Sequence, residues 1–319
     1  MDVGNARVRL VLGAWAGKRV VVAGGAGFIG THLARALIMA GAEVALVDNL
    51  STGRADRTPA PLTVADIAGL ERLPLPTAEI VFNLACPASP RAYQADPVQT
   101  WRTSVMGTWT LAHLALAEGA RIVQASTSEV YGDPLVHPQT EDYAGNVALT
   151  GPRACYDEGK RAAEVLLYDL AQTRGLDIRV ARIFNTYGPG MAQGDGRALP
   201  AFFEAARAGQ PLRLEGGGGQ TRSFCHVDDL VRGLMALALC EPARGVPVNL
   251  GNPDERTIRE AAETVVRLTA SASPLVEVAA AVNDPRRRCP DITRARSLLG
   301  WEPQVGFEVG LRSMLADSD

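Results

Sequence analysis

The chain has 319 residues, of which 47% are apolar and 21% charged, with a formal net charge of −3. That length exceeds one small core and suggests two lobes at about 150 residues per domain, while the composition is that of an ordinary globular protein. The near-neutral charge gives no overall electrostatic footprint for nucleic acid or an anionic membrane, and no segment approaches the ~20 apolar residues of a bilayer span. The five cysteines, Cys86, Cys155, Cys225, Cys240 and Cys289, are odd in number and lack CxxC spacing. Neither a disulfide framework nor a metal site is expected from them, and reduced thiols fit a cytoplasmic setting.

In chain order, residues 1–17 read as a short extension, not as an export signal, because the apolar stretch 8–12 is brief and broken by Arg9. Val20 to Ala23 is a β-branched run suited to a buried strand. GGAGFIG (24–30) follows, and then Ile29, Leu33, Leu37 and Ile38 recur at helical spacing up to Gly41. Residues 43–47 form the next strand, which ends at Asp48. Further strands are predicted at 62–64, 80–84, 121–125 and 178–183, with helices at 98–117 and 158–173. Alternation of this kind predicts an α/β doubly wound parallel sheet of the Rossmann type. After Asn185 glycine and proline become frequent, around a short helix at 201–208, which marks a smaller α/β lobe. The expected division is a dinucleotide-binding lobe at 18–185 and a second lobe at 186–319, with the segment 224–252 returning to the first.

Gly24, Gly27 and Gly30 sit on a strand-to-helix turn, where glycine permits the tight turn and close approach of a pyrophosphate. The free amides and the helix dipole then favour the anion. Asp48 at the end of the following strand suits the adenosine ribose hydroxyls and disfavours a 2′-phosphate, so NAD is expected over NADP; Arg54 reads as a loop charge.

Tyr156 and Lys160 are four residues apart and share one helix face. A cationic lysine there is expected to lower the phenol pKa, giving a base beside a nicotinamide. The strand at 121–125 delivers Ser126, Thr127, Ser128 and Glu129 at its C-terminal end, where ligands bind in such sheets.

With these residues in view, the chain resembles the extended short-chain dehydrogenase/reductases that act on nucleotide-sugars. The finer resemblance is to the UDP-glucuronate decarboxylases. It runs over about 18–316 and is carried by ACPASP (85–90), STSEVYGDP (126–134), GPRACYDEGKR (151–161), RIFNTYGPGM (182–191), DGR (195–197), QTRSF (220–224), NLGNP (249–253) and LGWEP (299–303). Related 4,6-dehydratases usually carry an Asp-Glu pair after the threonine, and related 4-epimerases usually lack the glutamate; here Thr127, Ser128 and Glu129 stand in line. The resemblance implies that Thr127 and Tyr156 handle the C4 hydroxyl proton, with Lys160 also holding the nicotinamide ribose. It implies Glu129 and Ser128 near C5 and the carboxylate of UDP-glucuronate, and Arg102, Asn185, Arg197, Arg222 and Arg288 around the substrate. Arg288 is left between diphosphate binding and the decarboxylation step, and Arg286 and Arg287 read as surface charges. The cofactor set extends to Phe28, Ile29, Asn49, Asp66, Ile67, Leu84 and Thr103. Cys86 replaces a frequent serine and is not expected to act as a nucleophile. A homodimer is expected through the two long helices, with Trp101, Trp109, Leu166 and Leu167 on the pairing faces. The alternatives are a 4-epimerase, a 4,6-dehydratase, release of a 4-keto pentose, and a non-catalytic NAD-binding protein.

Overall fold

A computed structural model describes residues 13–69, 74–194, 196–280 and 284–316. The elements in order are β1 (Arg19–Ala23), α1 (Phe28–Met39), β2 (Glu43–Asp48), β3 (Leu62–Val64), β4 (Ile80–Asn83), α2 (Pro90–Ala95), α3 (Pro97–Arg102), α4 (Thr108–Glu118) and β5 (Arg121–Thr127). There follow α5 (Ala154–Arg174), β6 (Asp177–Ile183), β7 (Thr186–Tyr187), α6 (Ala198–Arg207), β8 (Leu212–Glu215), β9 (Thr221–Ser223), β10 (Cys225–His226) and α7 (Val227–Leu239). The chain closes with β11 (Pro247–Leu250), β12 (Glu255–Thr257), α8 (Ile258–Thr269), β13 (Leu275–Val278), α9 (Thr293–Leu299) and α10 (Phe307–Ala316).

Seven strands form one parallel sheet in the order β11-β6-β5-β4-β1-β2-β3. The order reverses between β1 and β4, which opens the crevice where such sheets bind ligands. The alternation of side chains along β1 explains the layering. Val20 and Val22 join a core with Leu33 and Leu37 of α1 and Leu230 and Leu234 of α7. Val21 and Ala23 face the opposite core, with Leu111 of α4 and Leu167 of α5. A third core, built on Phe202, Phe203, Val265 and Leu311, holds the small lobe together.

Four details differ from the sequence reading. Trp15, expected in an extension, is fully buried in the first core and lies 6.2 Å from Phe82; residues 1–12 lie outside the described residues. The helix expected at 98–117 is broken into α3, a π-helical turn (Thr103–Gly107) and α4. The π turn brings Gly107 against Ile67, where a Cβ would lie 2.6 Å from Ile67 Cδ1. Ile292, Ala295 and Trp301 pack in the first core and not in the small lobe, because α9 lies on β11 and α7. Leu167 points into the second core, so it is absent from the free helix face on which it was expected.

Candidate active site

The turn between β1 and α1 can be built only with glycine at two positions. Gly24 has φ +77°, and a Cβ there would lie 2.7 Å from the Leu84 carbonyl carbon. A Cβ on Gly30 would lie 2.1 Å from the Gly24 carbonyl oxygen. Gly27 occupies the N-cap of α1 in extended conformation, without a side-chain cap. The helix therefore presents uncapped amides at its positive end, as an anion site requires. Phe28 and Ile29 open the helix and pack partly into the first core.

Asp48 is buried at the end of β2 and aimed back at this turn. Its Oδ2 accepts from the Ala26 amide at 3.0 Å and its Oδ1 from the Leu50 amide at 2.8 Å. Asn49 beside it is exposed, and its side-chain oxygen caps Ser51 N at 3.1 Å. Beyond β3, Asp66 accepts from Gln99 Nε2 at 2.7 Å, Ile67 is buried, and Thr103 is buried at the π turn. A bare cradle that any Cβ would fill, free helix amides and an anchored carboxylate fit a dinucleotide with an unphosphorylated adenosine ribose.

Across the crevice, β5 ends in Thr127, whose hydroxyl accepts the Glu129 amide at 3.2 Å and favours the ionised form of the Tyr156 phenol. Ser128 is buried beside it. Helix α5 is locked to the sheet by Glu164, which binds Ser126 and takes Arg182 Nη2 at 2.8 Å. That lock fixes the height of Tyr156 and Lys160 two and one turns earlier. Lys160 Nζ donates to the Ala125 carbonyl at 2.8 Å and lies 5.8 Å from the Tyr156 ring centroid. Burial pushes the Tyr156 phenol well above its usual range; Cys86 and Glu129 add to this, and the Thr127 hydroxyl opposes it. The expected lowering by Lys160 is therefore overridden, because desolvation of the buried phenolate outweighs it. Tyr93 of α2 stacks on Tyr156 at 5.3 Å and 14°, and Cys86 Sγ meets Ser104 Oγ at 3.2 Å.

Glu129 is the hub of a charged cluster. Arg288 grips both its oxygens in a two-pronged pair, each bond 2.9 Å, and Arg153 donates to the same carboxylate. Burial alone would raise the Glu129 pKa, but Arg288 and Arg153 outweigh it and hold the carboxyl at about 2. Arg288 Nη1 also reaches Asn185 Oδ1 at 3.3 Å. Buried Arg222 on β9 binds Asp284 at 2.7 Å, and Arg153 lies 3.8 Å from the same aspartate. Asp157 is buried against this cluster; burial first, then Glu129, push its carboxyl up to about 7. Four buried polar atoms here have no hydrogen-bond partner among the described residues: Tyr93 Oη, Arg153 Nε, Asp157 Oδ1 and Arg288 Nε.

The structure thus brings together Thr127, Ser128, Glu129, Tyr156, Lys160, Asn185, Arg222 and Arg288. Arg288 stands with the Glu129 and Tyr156 end. Arg102 is exposed at the end of α3, and its side chain makes no hydrogen bond or ion pair among the described residues. Arg197 caps α6 and lies 5.9 Å over the Phe28 ring, at the cofactor turn. Arg286 pairs with Asp133 at the surface, and Arg287 is exposed. Sequence reasoning missed Tyr93, Arg153, Asp157 and Asp284. Arg153 precedes Tyr156 by three residues, one turn away, and that spacing was a usable signal; Tyr93 and Asp284 come from distant segments.

Three donors of the first lobe close onto the loop between β7 and α6. His32 Nε2 donates to Pro189 O at 3.0 Å, Arg57 Nη1 to Gly190 O at 3.4 Å and Arg91 Nη1 to Gly194 O at 2.7 Å.

A model of the NAD dependent epimerase/dehydratase family matches residues 20–251. The chain belongs to that family. Within it, this epimerase/dehydratase groups with the UDP-glucuronic acid decarboxylases. The UDP-glucuronic acid decarboxylase 6 of Arabidopsis thaliana is 46% identical over 310 residues, spanning 94% of this chain and 88% of the relative. The UDP-glucuronic acid decarboxylase 1 of Danio rerio is 46% identical over 308 residues, spanning 93% and 72%. Among solved structures, the epimerase Mth375 of Methanothermobacter thermautotrophicus superposes with a TM-score of 0.91 at 30% identity, covering 98% of this chain and 95% of that one. MoeE5, solved with UDP-glucuronic acid and NAD, gives 0.81 at 28%, covering 94% and 98%.

Proposed function

We propose that this epimerase/dehydratase converts UDP-glucuronate to UDP-xylose and CO2 with bound NAD. The observation that carries the reading is Glu129, gripped by Arg288 and Arg153 beside Thr127 and Tyr156. A 4-epimerase has no task for such a cluster, whereas a decarboxylase must hold a carboxylate and C5 at one end and a C4 hydroxyl at the other.

The chemistry demands oxidation first. Loss of CO2 from glucuronate leaves electrons on C5 with nowhere to go; a ketone at C4 delocalises them as an enolate, and C5 then takes a proton from water before C4 is reduced again. Bound NAD supplies the hydride acceptor, the later hydride donor and a positive charge near the phenol. Tyr156, aligned by Thr127, takes the C4 hydroxyl proton and later returns it. Lys160, tied to Ala125, holds the tyrosine side of the crevice. Glu129 with Ser128 faces C5, and Arg288 and Arg153 orient the carboxylate by charge-assisted bonds. Asn185 holds the sugar, and Arg222, Arg197 and Arg102 are assigned to the nucleotide-sugar from the outer side. Gly24, Gly27, Phe28, Ile29, Gly30, Asp48, Asn49, Asp66, Ile67, Leu84 and Thr103 are assigned to NAD.

The protein is also read as a cytoplasmic homodimer. Supporting the dimer, Val98, Trp101, Met106, Trp109 and Val165 are exposed apolar side chains on α3, the π turn, α4 and α5. Supporting the cytoplasm, all five cysteines are free, and among the described residues no helix is long and apolar enough to cross a membrane.

Incubation with UDP-glucuronate and mass analysis of the product tests the reading. UDP-xylose with CO2 is the expected result; UDP-galacturonate without CO2 would mark an epimerase and overturn it. Tyr156→Phe is expected to lower CO2 release about 10²–10⁴-fold while UDP binding persists, and full activity in that variant would refute the base assignment.

A further inference from the structure

The five charged groups joined by ion pairs at the Glu129 hub do not balance. Arg153, Arg222 and Arg288 face Glu129 and Asp284, three cations against two anions. Whether the excess survives depends on the remaining acid, Asp157, which lies 7% exposed in the first turn of α5.

Among the described residues Asp157 has no ion pair. Both terminal nitrogens of Arg288 are given to Glu129, and those of Arg153 to Glu129 and Asp284. Asp157 Oδ1 meets no donor, and the Tyr93 hydroxyl of the same cluster is also unpartnered. Burying a carboxyl that has no ion pair and one oxygen without a donor disfavours its charged form, and Arg153 and Arg288 offset this only in part, so the group is a carboxylic acid below about pH 7. The other titratable and charged groups around it are Glu129 from the turn after β5, Arg153, Cys155, Tyr156 and Glu158 from α5, Tyr93 from α2 and Arg288 from the loop before α9. Glu158 is in turn paired with Arg161 at 3.6 Å.

We propose that Asp157 is a positioning residue for the sugar carboxylate. As an uncharged acid it leaves the arginine cluster one positive charge in excess, and that excess is matched by the single negative charge of an anionic hexuronate. A neutral hexose of the same nucleotide cannot match it. The residue thereby ties discrimination between acidic and neutral sugars to pH. Ionised Asp157 cancels the excess and repels the incoming carboxylate; its position near pH 7 puts this change within the working range. The inference rests on the UDP-glucuronate reading above and adds the group that sets its selectivity.

The test measures KM for CO2 release from UDP-glucuronate and the inhibition constant of UDP-glucose against pH, with the NAD-loaded protein and its Asp157→Asn and Asp157→Ala variants. In the wild type, KM is expected to rise towards tenfold per pH unit above about 7, while the UDP-glucose constant stays flat. In both variants KM should be flat with pH. A purely structural role would change kcat or stability without altering this pH split. The same rise of KM in either folded variant, or a flat KM in the wild type, overturns the proposal. Absence of CO2 from the wild type at every pH overturns the decarboxylase reading instead.

Discussion

Replacing Glu129 with glutamine removes the charge at the centre of the arginine cluster while keeping its shape. Its carboxyl is held at about 2 against an ordinary 4.5. At ~1.4 kcal/mol per pKa unit the ionised form contributes about 3 kcal/mol to folding. A second argument gives the same scale: the substitution leaves Arg288 and Arg153, both largely buried, facing a neutral amide, and unpairing a buried ion pair costs about 3–5 kcal/mol. The sign follows from the depressed pKa. The stabilisation is complete above about pH 4.5 and is lost as pH falls towards about 2. Urea unfolding of wild type and Glu129→Gln at neutral pH and through the acid range would measure it. The expected gap is about 3 kcal/mol at neutral pH, closing progressively in acid. A gap below about 1 kcal/mol at neutral pH, or one that persists unchanged into acid, would refute the reasoning.

Gly30→Ala places a Cβ 2.1 Å from the Gly24 carbonyl oxygen, so the turn must distort; about 1–3 kcal/mol of stability and most NAD affinity should be lost, measured by thermal unfolding and NAD titration. Gly27→Ala, where the nearest atom is at 3.2 Å, should cost less than about 1 kcal/mol, and equal damage from the two would refute the cradle argument. Trp101→Glu with Trp109→Glu, both exposed on the free helix face, should give a folded monomer in sedimentation; an unchanged dimer would place the interface elsewhere.

Much of the fold was legible because period and punctuation coincide. The run Val20 to Ala23, the glycine turn and the helical spacing of Leu33 and Leu37 all specify one strand–helix unit, and the two faces of β1 sort cleanly into the two cores. The catalytic pair was legible because Tyr156 and Lys160 lie on one helix. Its electrostatics were not, since burial of the phenol is set by Tyr93 stacked on it from another helix. Trp15 was misjudged because a single aromatic in a glycine-flanked stretch has no period to betray its burial. The break at Thr103–Gly107 was hidden because a π turn preserves the apolar character of a helix while shifting its phase. Asp157 was passed over for a similar reason: an aspartate in a helix's first turn ordinarily reads as a dipole partner, and only the packed structure shows one of its carboxyl oxygens buried with no donor among the described residues.

The clasp made by His32, Arg57 and Arg91 has a consequence for divergence. Each of the three donates to a main-chain carbonyl, at Pro189, Gly190 and Gly194, and every residue type carries that acceptor. The seat of the loop is thus written in the first lobe and not in the loop's own side chains. Away from its positive-φ glycines, Gly188, Gly190, Gly194 and Gly196, substitutions along the loop can alter what its neighbour Arg197 meets without unseating it, so new sugar preferences can be sampled on a frame that stays fixed.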